Sequence, residues 1–260
     1  MVVTPRLTDE DEAASMVRFH EAHPLDAASR ALFRSGREVH VWYAATDAPT
    51  SVMSNLSCLL SPEEQLRAFR FKYAQDQSRY IISHALLRLL LSAYTEIAPS
   101  ELTLESTKHG KPYLAARLEH KRIQFNITHS NDTFCCVLSK DWEVGVDVEQ
   151  IRKDFDWFSI AQSYFSPMEA AQLEATPVDG QASAFYKLWT RKEALLKAIG
   201  TGFTGIGGLA DHRDVHSMSS YALHSFQWSP DYQGAVAVNS SVPRAVFFHY
   251  PDLIRQLLIP

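Results

Sequence analysis

Two acidic residues stand two positions apart in residues 145–149, Gly-Val-Asp-Val-Glu. Side chains two apart on a β-strand point the same way, so Asp147 and Glu149 would share one face. Adjacent carboxylates repel each other, and a hard divalent cation with oxygen ligands, Mg²⁺ above all, would remove that repulsion. For this pair by itself, the alternative is an exposed strand end with a solvated acidic face.

A third acid and a lysine lie on a predicted helix. Trp189, Glu193 and Lys197 stand at i, i+4 and i+8 and therefore form nearly one stripe. A surface Glu–Lys pair would explain Glu193 and Lys197, but it would leave the large Trp189 ring on a solvated face. A stripe that is partly buried at a cleft accommodates all three side chains.

Two further groups of residues suit phosphate ligands. Residues 125–130 are predicted to end a strand in a loop that presents the Thr128 hydroxyl and the His129 imidazole, although the chain has 11 histidines and a single histidine is more often structural. Several basic residues on the first helices and in one turn could also converge on a ligand with several phosphates, or simply form a solvated face. These residues are Arg67, Arg70, Lys72, Arg79, Arg88 and Lys111.

The elements that would position these residues occur in the same order twice. A strand, a Ser-Pro-x-Glu helix start, a long helix and further strands recur, with Val39 and Val144 separated by the same 105 residues as Ser61 and Ser166. Ser, Pro and Glu at these positions suit an N-cap, the first helical residue and a capping box. The pattern predicts an α+β fold: a pseudo-dimer of two similar α/β subdomains with the active site in the cleft between them. Coincidence is the alternative, since Ser-Pro-x-Glu is a common helix start.

The expected boundaries follow from this repeat. Residues 1–36 would be an N-terminal extension, residues 37–140 the N-terminal α+β half, and residues 141–260 the C-terminal α+β half with the metal ligands. The long helices are expected over about residues 76–94 and 182–199, the second ending at Gly200 and Gly202. Short strands are expected at residues 234–238 and 244–250, and the internal repeat favours a monomer.

Composition limits the classes of function. A formal net charge of −5 argues against nucleic acid as the main partner, and 46% hydrophobic residues suffice for a sizeable core. No apolar run approaches the roughly 20 residues that cross a bilayer, and an acidic cluster at residues 9–12 is unlike a secretion signal. Cys58, Cys135 and Cys136 form neither a disulfide framework nor a CxxC metal site. A cytoplasmic location is therefore expected.

Taken together, these motifs resemble a known family. Residues 145–149, 189–197 and 125–130, with Gly110-Lys111-Pro112, are similar in order and spacing to the 4′-phosphopantetheinyl transferases of the Sfp type. Each motif is weak by itself, whereas four in the right order are specific. The family's fold is a pseudo-dimer of two α+β halves with the coenzyme between them, which agrees with the repeat.

The resemblance implies Mg²⁺-dependent transfer of the phosphopantetheine arm of coenzyme A to a serine of an apo acyl or peptidyl carrier protein, with release of adenosine 3′,5′-bisphosphate. It implies that Asp147, Glu149 and Glu193 bind Mg²⁺ together with the coenzyme's diphosphate. The residues that would contact the coenzyme elsewhere are Lys197 at the phosphate under attack, Thr128 and His129 at the pyrophosphate and 3′-phosphate, Lys111 at the adenine, and Arg67 and Arg79 at the nucleotide phosphates. Glu193 or a metal-bound water would accept the serine proton.

Departures from the family pattern and two rival functions remain. Glu64 stands where a basic residue often helps hold the 3′-phosphate, and Thr128 replaces the more frequent serine.

A different Mg²⁺-dependent phosphoryl or nucleotidyl enzyme would use the same carboxylates, although no Walker-type or kinase-like Gly-rich motif supports it. A non-catalytic relative would be expected to lack a metal ligand or Lys197, and all four residues are present.

Overall fold

The computed structural model describes residues 6–7, 17–20, 27–115, 122–200, 220–239 and 244–249. Within these ranges the chain forms helices and strands in mixed order. The strands are β1 (Arg6–Leu7), β2 (Val17–His20), β3 (Glu38–Ala45), β4 (Leu104–Ser106), β5 (Pro112–Leu114), β6 (Ile123–Ser130), β7 (Thr133–Lys140), β8 (Val144–Gln150), β9 (Ala222–Ser229), β10 (Tyr232–Val238) and β11 (Arg244–His249). The α-helices are α1 (Ala27–Arg34), α2 (Thr50–Ser57), α3 (Pro62–Ala68), α4 (Ala74–Thr95), α5 (Trp157–Tyr164), α6 (Pro167–Ala175) and α7 (Val178–Ile199), with a 3₁₀ turn at Pro99–Glu101.

Two sheets form the centre of the described structure. A five-stranded sheet has the order β2-β11-β3-β7-β6, and a four-stranded sheet has the order β1-β9-β10-β8. β11 runs parallel to both β2 and β3, while the other neighbours in these sheets are antiparallel. A separate hairpin joins β4 and β5.

The repeat predicted from the sequence is confirmed as an α+β architecture. Ser61 and Ser166 each cap a helix through a complete capping box with the glutamate three residues later. The helices α4 and α7 are both 22 residues long and both end at a residue in the left-handed conformation. Gly200 ends α7 as predicted, whereas Gly202 lies outside the described residues.

The core explains why the two sheets stay together. Val39, Val41 and Tyr43 share one face of β3, as their alternation predicts, and they pack in a single buried cluster with residues of the four-stranded sheet such as Val146 and Val236. The opposite face of β3 packs against the helices through Trp42 and its neighbours. Each sheet therefore has one face turned towards the other sheet.

Strand pairing crosses the predicted boundary near residue 140. β11, from the C-terminal part, pairs with β3 of the N-terminal part, and the expected extension at residues 1–36 supplies β1 to one sheet and β2 to the other. Cys135 and Cys136 are fully buried in the core, as small apolar residues. Within the ranges that the structure describes, none of the helices has the length and apolar character that crossing a bilayer requires.

A buried ion pair fixes α3 against α4. Arg88 is buried, and its Nε lies 2.6 Å from Glu64 Oε2, while His84 Nδ1 lies 3.1 Å from Glu64 Oε1. Burial alone would raise the pKa of Glu64, but the hydrogen bonds from His84 and Arg88 outweigh it and lower the pKa to about 2. The residue that departs from the family pattern thus has structural partners, His84 and Arg88.

Glu64→Gln is expected to lower the free energy of unfolding at pH 7 by about 3 kcal/mol, because it leaves the buried Arg88 without its charged partner. Since the folded-state pKa lies below the ordinary value of 4.5, this stabilisation is complete above about pH 5 and is lost as the pH falls towards 2. Urea unfolding of both proteins between pH 7 and pH 3 should show the difference narrowing with acidity. The neighbouring, exposed Glu63→Gln serves as the control, and a difference independent of pH would contradict the pairing.

Candidate active site between the two halves

One cavity of about 660 Å³ receives residues from both parts of the chain. The helices α3 and α4 form one wall, and the strands β6 and β8 with α7 form the other. Nine residues that the sequence singled out line this cavity: Arg67, Arg79, Thr128, His129, Asp147, Glu149, Trp189, Glu193 and Lys197. Lys111 lines an adjoining cavity of about 360 Å³, which shares Arg67, Glu193 and Lys197 with the first.

β6 holds β8 in place through alternate side chains rather than through a backbone ladder. Asn126 Oδ1 accepts a hydrogen bond from the backbone N–H of Val146 at 3.0 Å, and Ser130 Oγ accepts one from Gln150 at 3.1 Å. Between them, Thr128 Oγ1 donates to Asp147 Oδ1 at 3.2 Å. The prediction that the strand ends before Thr128 is wrong, because β6 continues to Ser130 and turns back only at residues 131–132.

Gly145 lets β8 lie directly against α7. A Cβ atom at this position would stand 2.0 Å from the carbonyl oxygen of Ala194 and 2.4 Å from the amide nitrogen of Ala198. Any other residue would force the strand and the helix apart. The glycine that opens the acidic motif therefore sets the distance between Asp147 on the strand and Glu193 and Lys197 on the helix.

Gly145→Ala is expected to lower the free energy of unfolding by about 2–3 kcal/mol, since the added methyl group meets backbone atoms that cannot turn aside. Urea unfolding measures this change. Gly180→Ala on the same helix is the matched control, because there the added Cβ meets only the side-chain methyl of Thr176, at 3.3 Å. Equal stability of the two variants would show that strand and helix do not approach as closely as described.

The acidic residues face one another around Lys197. Asp147 and Glu193 are 3% and 6% exposed, so both carboxyl groups are almost removed from water. Lys197 Nζ lies 2.6 Å from Asp147 Oδ1 and also donates to Thr128 Oγ1 at 3.2 Å. Glu149 accepts a hydrogen bond from Ser130 Oγ at 2.9 Å.

The site holds more negative charge than its lysine balances. Burial, followed by the charge of Asp147, raises the pKa of Glu193 to about 8. Burial also raises the pKa of Asp147, and burial with the charge of Asp147 raises that of Glu149. Burial alone would lower the pKa of Lys197, but the charge of Asp147 outweighs it and raises the value. A further positive charge would therefore be stabilised at this place.

The oxygen atoms of this group fit a hard cation. Asp147 Oδ2 and Glu193 Oε1 are buried, and neither has a hydrogen-bond partner among the described residues. No three His, Cys, Asp or Glu side chains in the described part of the chain stand in a ready-made metal arrangement. The three acids are not gathered in such an arrangement because their carboxylates repel one another and Lys197 already pairs with Asp147. A bound cation would draw the three acids together.

The wall opposite the acids is basic and aromatic. Arg79 donates to Asn131 Oδ1 at 3.0 Å and to Asp132 Oδ1 at 3.1 Å, while its buried Nε has no partner among the described residues. The guanidinium of Arg67 lies 5.7 Å from the centre of the Tyr80 ring. These cations sit where a phosphate between the two walls would meet them.

His129 lies at the edge of the same cavity. Partial burial of its ring, then the charges of Lys197, Arg79 and His84, lower its pKa. The neutral imidazole is thereby favoured until an anion enters and offsets the surrounding cations. The structure thus gives His129 cationic neighbours suited to a phosphate ligand.

Some lining residues were missed in the sequence. Tyr80, Ser83 and His84 join Arg79 on one face of α4 and line the cavity. Their spacing of one, four and five residues from Arg79 is the signal that would have found them. The ring of His84 stacks on that of Tyr80 with centroids 3.9 Å apart, so this wall is already ordered.

Comparison with known proteins agrees with this geometry. A family model described as the 4′-phosphopantetheinyl transferase superfamily matches residues 143–239, and one described as 4′-phosphopantetheinyl transferase, N-terminal, matches residues 46–141. The chain is 33% identical over 165 residues to the 4′-phosphopantetheinyl transferase HetI of Nostoc sp., covering 64% of the chain and 70% of that relative.

Two other relatives carry the same description. The 4′-phosphopantetheinyl transferase of Bacillus subtilis is 30% identical over 145 residues, which cover 56% of the chain and 62% of the relative. The 4′-phosphopantetheinyl transferase AcpT of Escherichia coli is 36% identical over 124 residues, 48% of the chain and 58% of the relative. These matched stretches thus span less than two thirds of the two relatives' own lengths.

Proposed function

Since the chain belongs to the 4′-phosphopantetheinyl transferase superfamily, we propose that it transfers the phosphopantetheine arm of coenzyme A to a serine of an apo acyl or peptidyl carrier protein, with Mg²⁺ as its cation. The observation that carries this proposal is the meeting of three acids and a lysine with a basic wall across one cavity. Coenzyme A needs both walls, because it bears a diphosphate and a separate 3′-phosphate.

The reaction is a displacement at phosphorus. The serine oxygen would bond to the β-phosphorus of coenzyme A, the bond from that phosphorus to the bridging oxygen would break, and adenosine 3′,5′-bisphosphate would leave. Such a transfer depends on positioning and on neutralising charge more than on covalent help from the protein. Mg²⁺, when bound, would balance the charge that builds on the leaving phosphate.

The protein's own residues would do the rest. Asp147, Glu149 and Glu193 would hold the cation, and Lys197 would donate hydrogen bonds to the phosphate under attack. Glu193 has a carboxylate oxygen without a partner in the described structure, so it can also accept the serine proton. Thr128 and His129 would bind the phosphate oxygens from β6.

The basic wall would hold the nucleotide. Arg67 and Arg79 would meet the 3′-phosphate, because a phosphate monoester needs cations and the opposite wall is acidic. Glu64 takes no part in this contact, since Arg88 and His84 already bind both of its oxygens. Both walls of the cavity come from one chain, which supports a monomer. The proposed substrates, coenzyme A and carrier proteins, support a cytoplasmic location.

Mass spectrometry tests the proposed function. The protein would be mixed with coenzyme A, Mg²⁺ and a panel of apo carrier proteins from fatty acid, polyketide and nonribosomal peptide systems. A cognate carrier should gain the mass of one phosphopantetheine group, and its Ser→Ala variant should gain nothing. An unmodified panel, together with turnover of ATP or another nucleotide, would favour the rival phosphoryl-transfer function.

A further inference from the structure

The ammonium group of Lys111 binds three backbone carbonyl oxygens. Lys111 Nζ lies 3.1 Å from the oxygen of Val144, 2.7 Å from that of Lys197 and 3.0 Å from that of Ala198. An ammonium group has three N–H donors and no acceptor. All of its hydrogen-bonding capacity is therefore used within the protein, in a group that resemblance alone would place at the coenzyme.

The acceptors explain the position of this lysine. The last carbonyls of a helix have no partner within the helix. Gly200 N–H satisfies the carbonyl of Leu196 at 2.9 Å, and Lys111 satisfies the next two, those of Lys197 and Ala198. A cation at a helix C-terminus also interacts favourably with the helix dipole. Lys111 thus caps α7 from outside the helix.

The lysine is presented by a tight turn. Thr107 N–H donates to the Lys111 carbonyl at 2.9 Å, and Lys111 N–H donates to Thr107 Oγ1 at 3.2 Å. Gly110 supplies the positive φ of 84° that this turn needs. Burial lowers the pKa of Lys111 to about 8, although the negative charge of Glu143 acts in the opposite direction.

The same contacts link the parts of the active site. Val144 begins β8, three residues before Asp147, while Lys197 carries the side chain that pairs with Asp147 at 2.6 Å. One ammonium group therefore links the start of β8 to the end of α7. Without the Lys111 ammonium group, β8 and α7 would lose the hydrogen bonds that fix their positions along each other.

We propose that Lys111 is a positioning residue that acts through Lys197, holding the end of α7 against β8 so that Lys197 meets Asp147 and the phosphate. This inference rests on the proposed transferase function. It differs from direct binding of the coenzyme by the Lys111 charge, because the ammonium has no hydrogen left to donate. The backbone of the Gly110-Lys111-Pro112 turn still lines the adjoining cavity.

Lys111→Met separates the two roles, because methionine keeps an unbranched side chain and removes the charge. The turnover number kcat should fall about 10- to 100-fold, as small misplacements of a reacting group do, while the KM for coenzyme A changes less than about 3-fold. In a double variant with Lys197→Met the two losses should not multiply, since Lys111 acts through Lys197. Lys108→Met, an exposed lysine of the same turn, is the matched control and should behave like the unmodified protein.

A raised KM for coenzyme A with unchanged kcat would show that Lys111 binds the coenzyme and would overturn the proposal, as would losses that multiply. A readout that needs no activity accompanies these kinetics: the NMR signal of the Lys197 side chain should move in Lys111→Met and stay in Lys108→Met. An unmoved Lys197 signal would also overturn the proposal. If the protein without any substitution transfers nothing to a carrier, the proposed function is refuted instead. The NMR signal of the Lys197 side chain would still decide the role of Lys111.

Discussion

Asp147→Asn should lower kcat for carrier modification at least about 1,000-fold while leaving the fold intact. The change keeps the shape of the side chain and removes the charge that a divalent cation would require from the proposed ligand. It also removes one of three mutually repelling acids, which offsets the lost attraction to Lys197. The unfolding temperature should therefore stay within about 4 °C of that of the unmodified protein.

Asp141→Asn is the matched control for this substitution. Asp141 is exposed, precedes β8 and pairs with Arg122 at 3.2 Å, outside the cavities around the acids. The same chemical change there should leave transfer unchanged. Full activity of Asp147→Asn, or of Asp147→Ala, in saturating Mg²⁺ would contradict the metal assignment.

Lys197→Met should lower kcat about 100- to 1,000-fold, the loss typical of removing one donor to a developing charge. The interpretation of Lys197 as an ordinary ion pair predicts far less, because exposed pairs contribute up to about 1 kcal/mol, a change of about 5-fold. Steady-state kinetics with a cognate carrier distinguish the two. The KM for coenzyme A should change little if the contact forms mainly in the transition state.

The control is Lys187→Met, on the same helix and outside the cavities described above. It should retain the activity of the unmodified protein. If Lys197→Met loses less than about 5-fold in kcat, its ammonium group does not assist the transfer, and the pairing with Asp147 is only structural.

Much of the fold could be predicted because its signals are local. Ser61 and Ser166 cap helices through side chains three residues away, and the alternation of Val39, Val41 and Tyr43 marks a buried strand face. The partner of a strand is a different matter. Nothing within β11 indicates that it pairs with β3 rather than with strands nearer in sequence, because that choice depends on packing of the whole chain.

The candidate site could likewise be predicted only where its signals are local in the sequence. Spacing along one strand and one helix placed Asp147, Glu193 and Lys197 in the group that the structure brings together around one cavity. The directions of Glu64 and Lys111 could not be predicted, because each depends on contacts with residues distant in sequence. A sequence shows that a lysine is charged, but only the fold shows which carbonyl groups accept its hydrogen bonds.

The central claim is that one divalent cation joins the acids of β8 and α7. Crystals of the protein with Mn²⁺ in place of Mg²⁺ and with coenzyme A would test it by anomalous diffraction. We expect one Mn²⁺ peak within about 2.0–2.4 Å of oxygen atoms of Asp147, Glu149 and Glu193, and in contact with the diphosphate. A bound coenzyme with no such peak, or with the ion held away from these three carboxylates, would contradict the account.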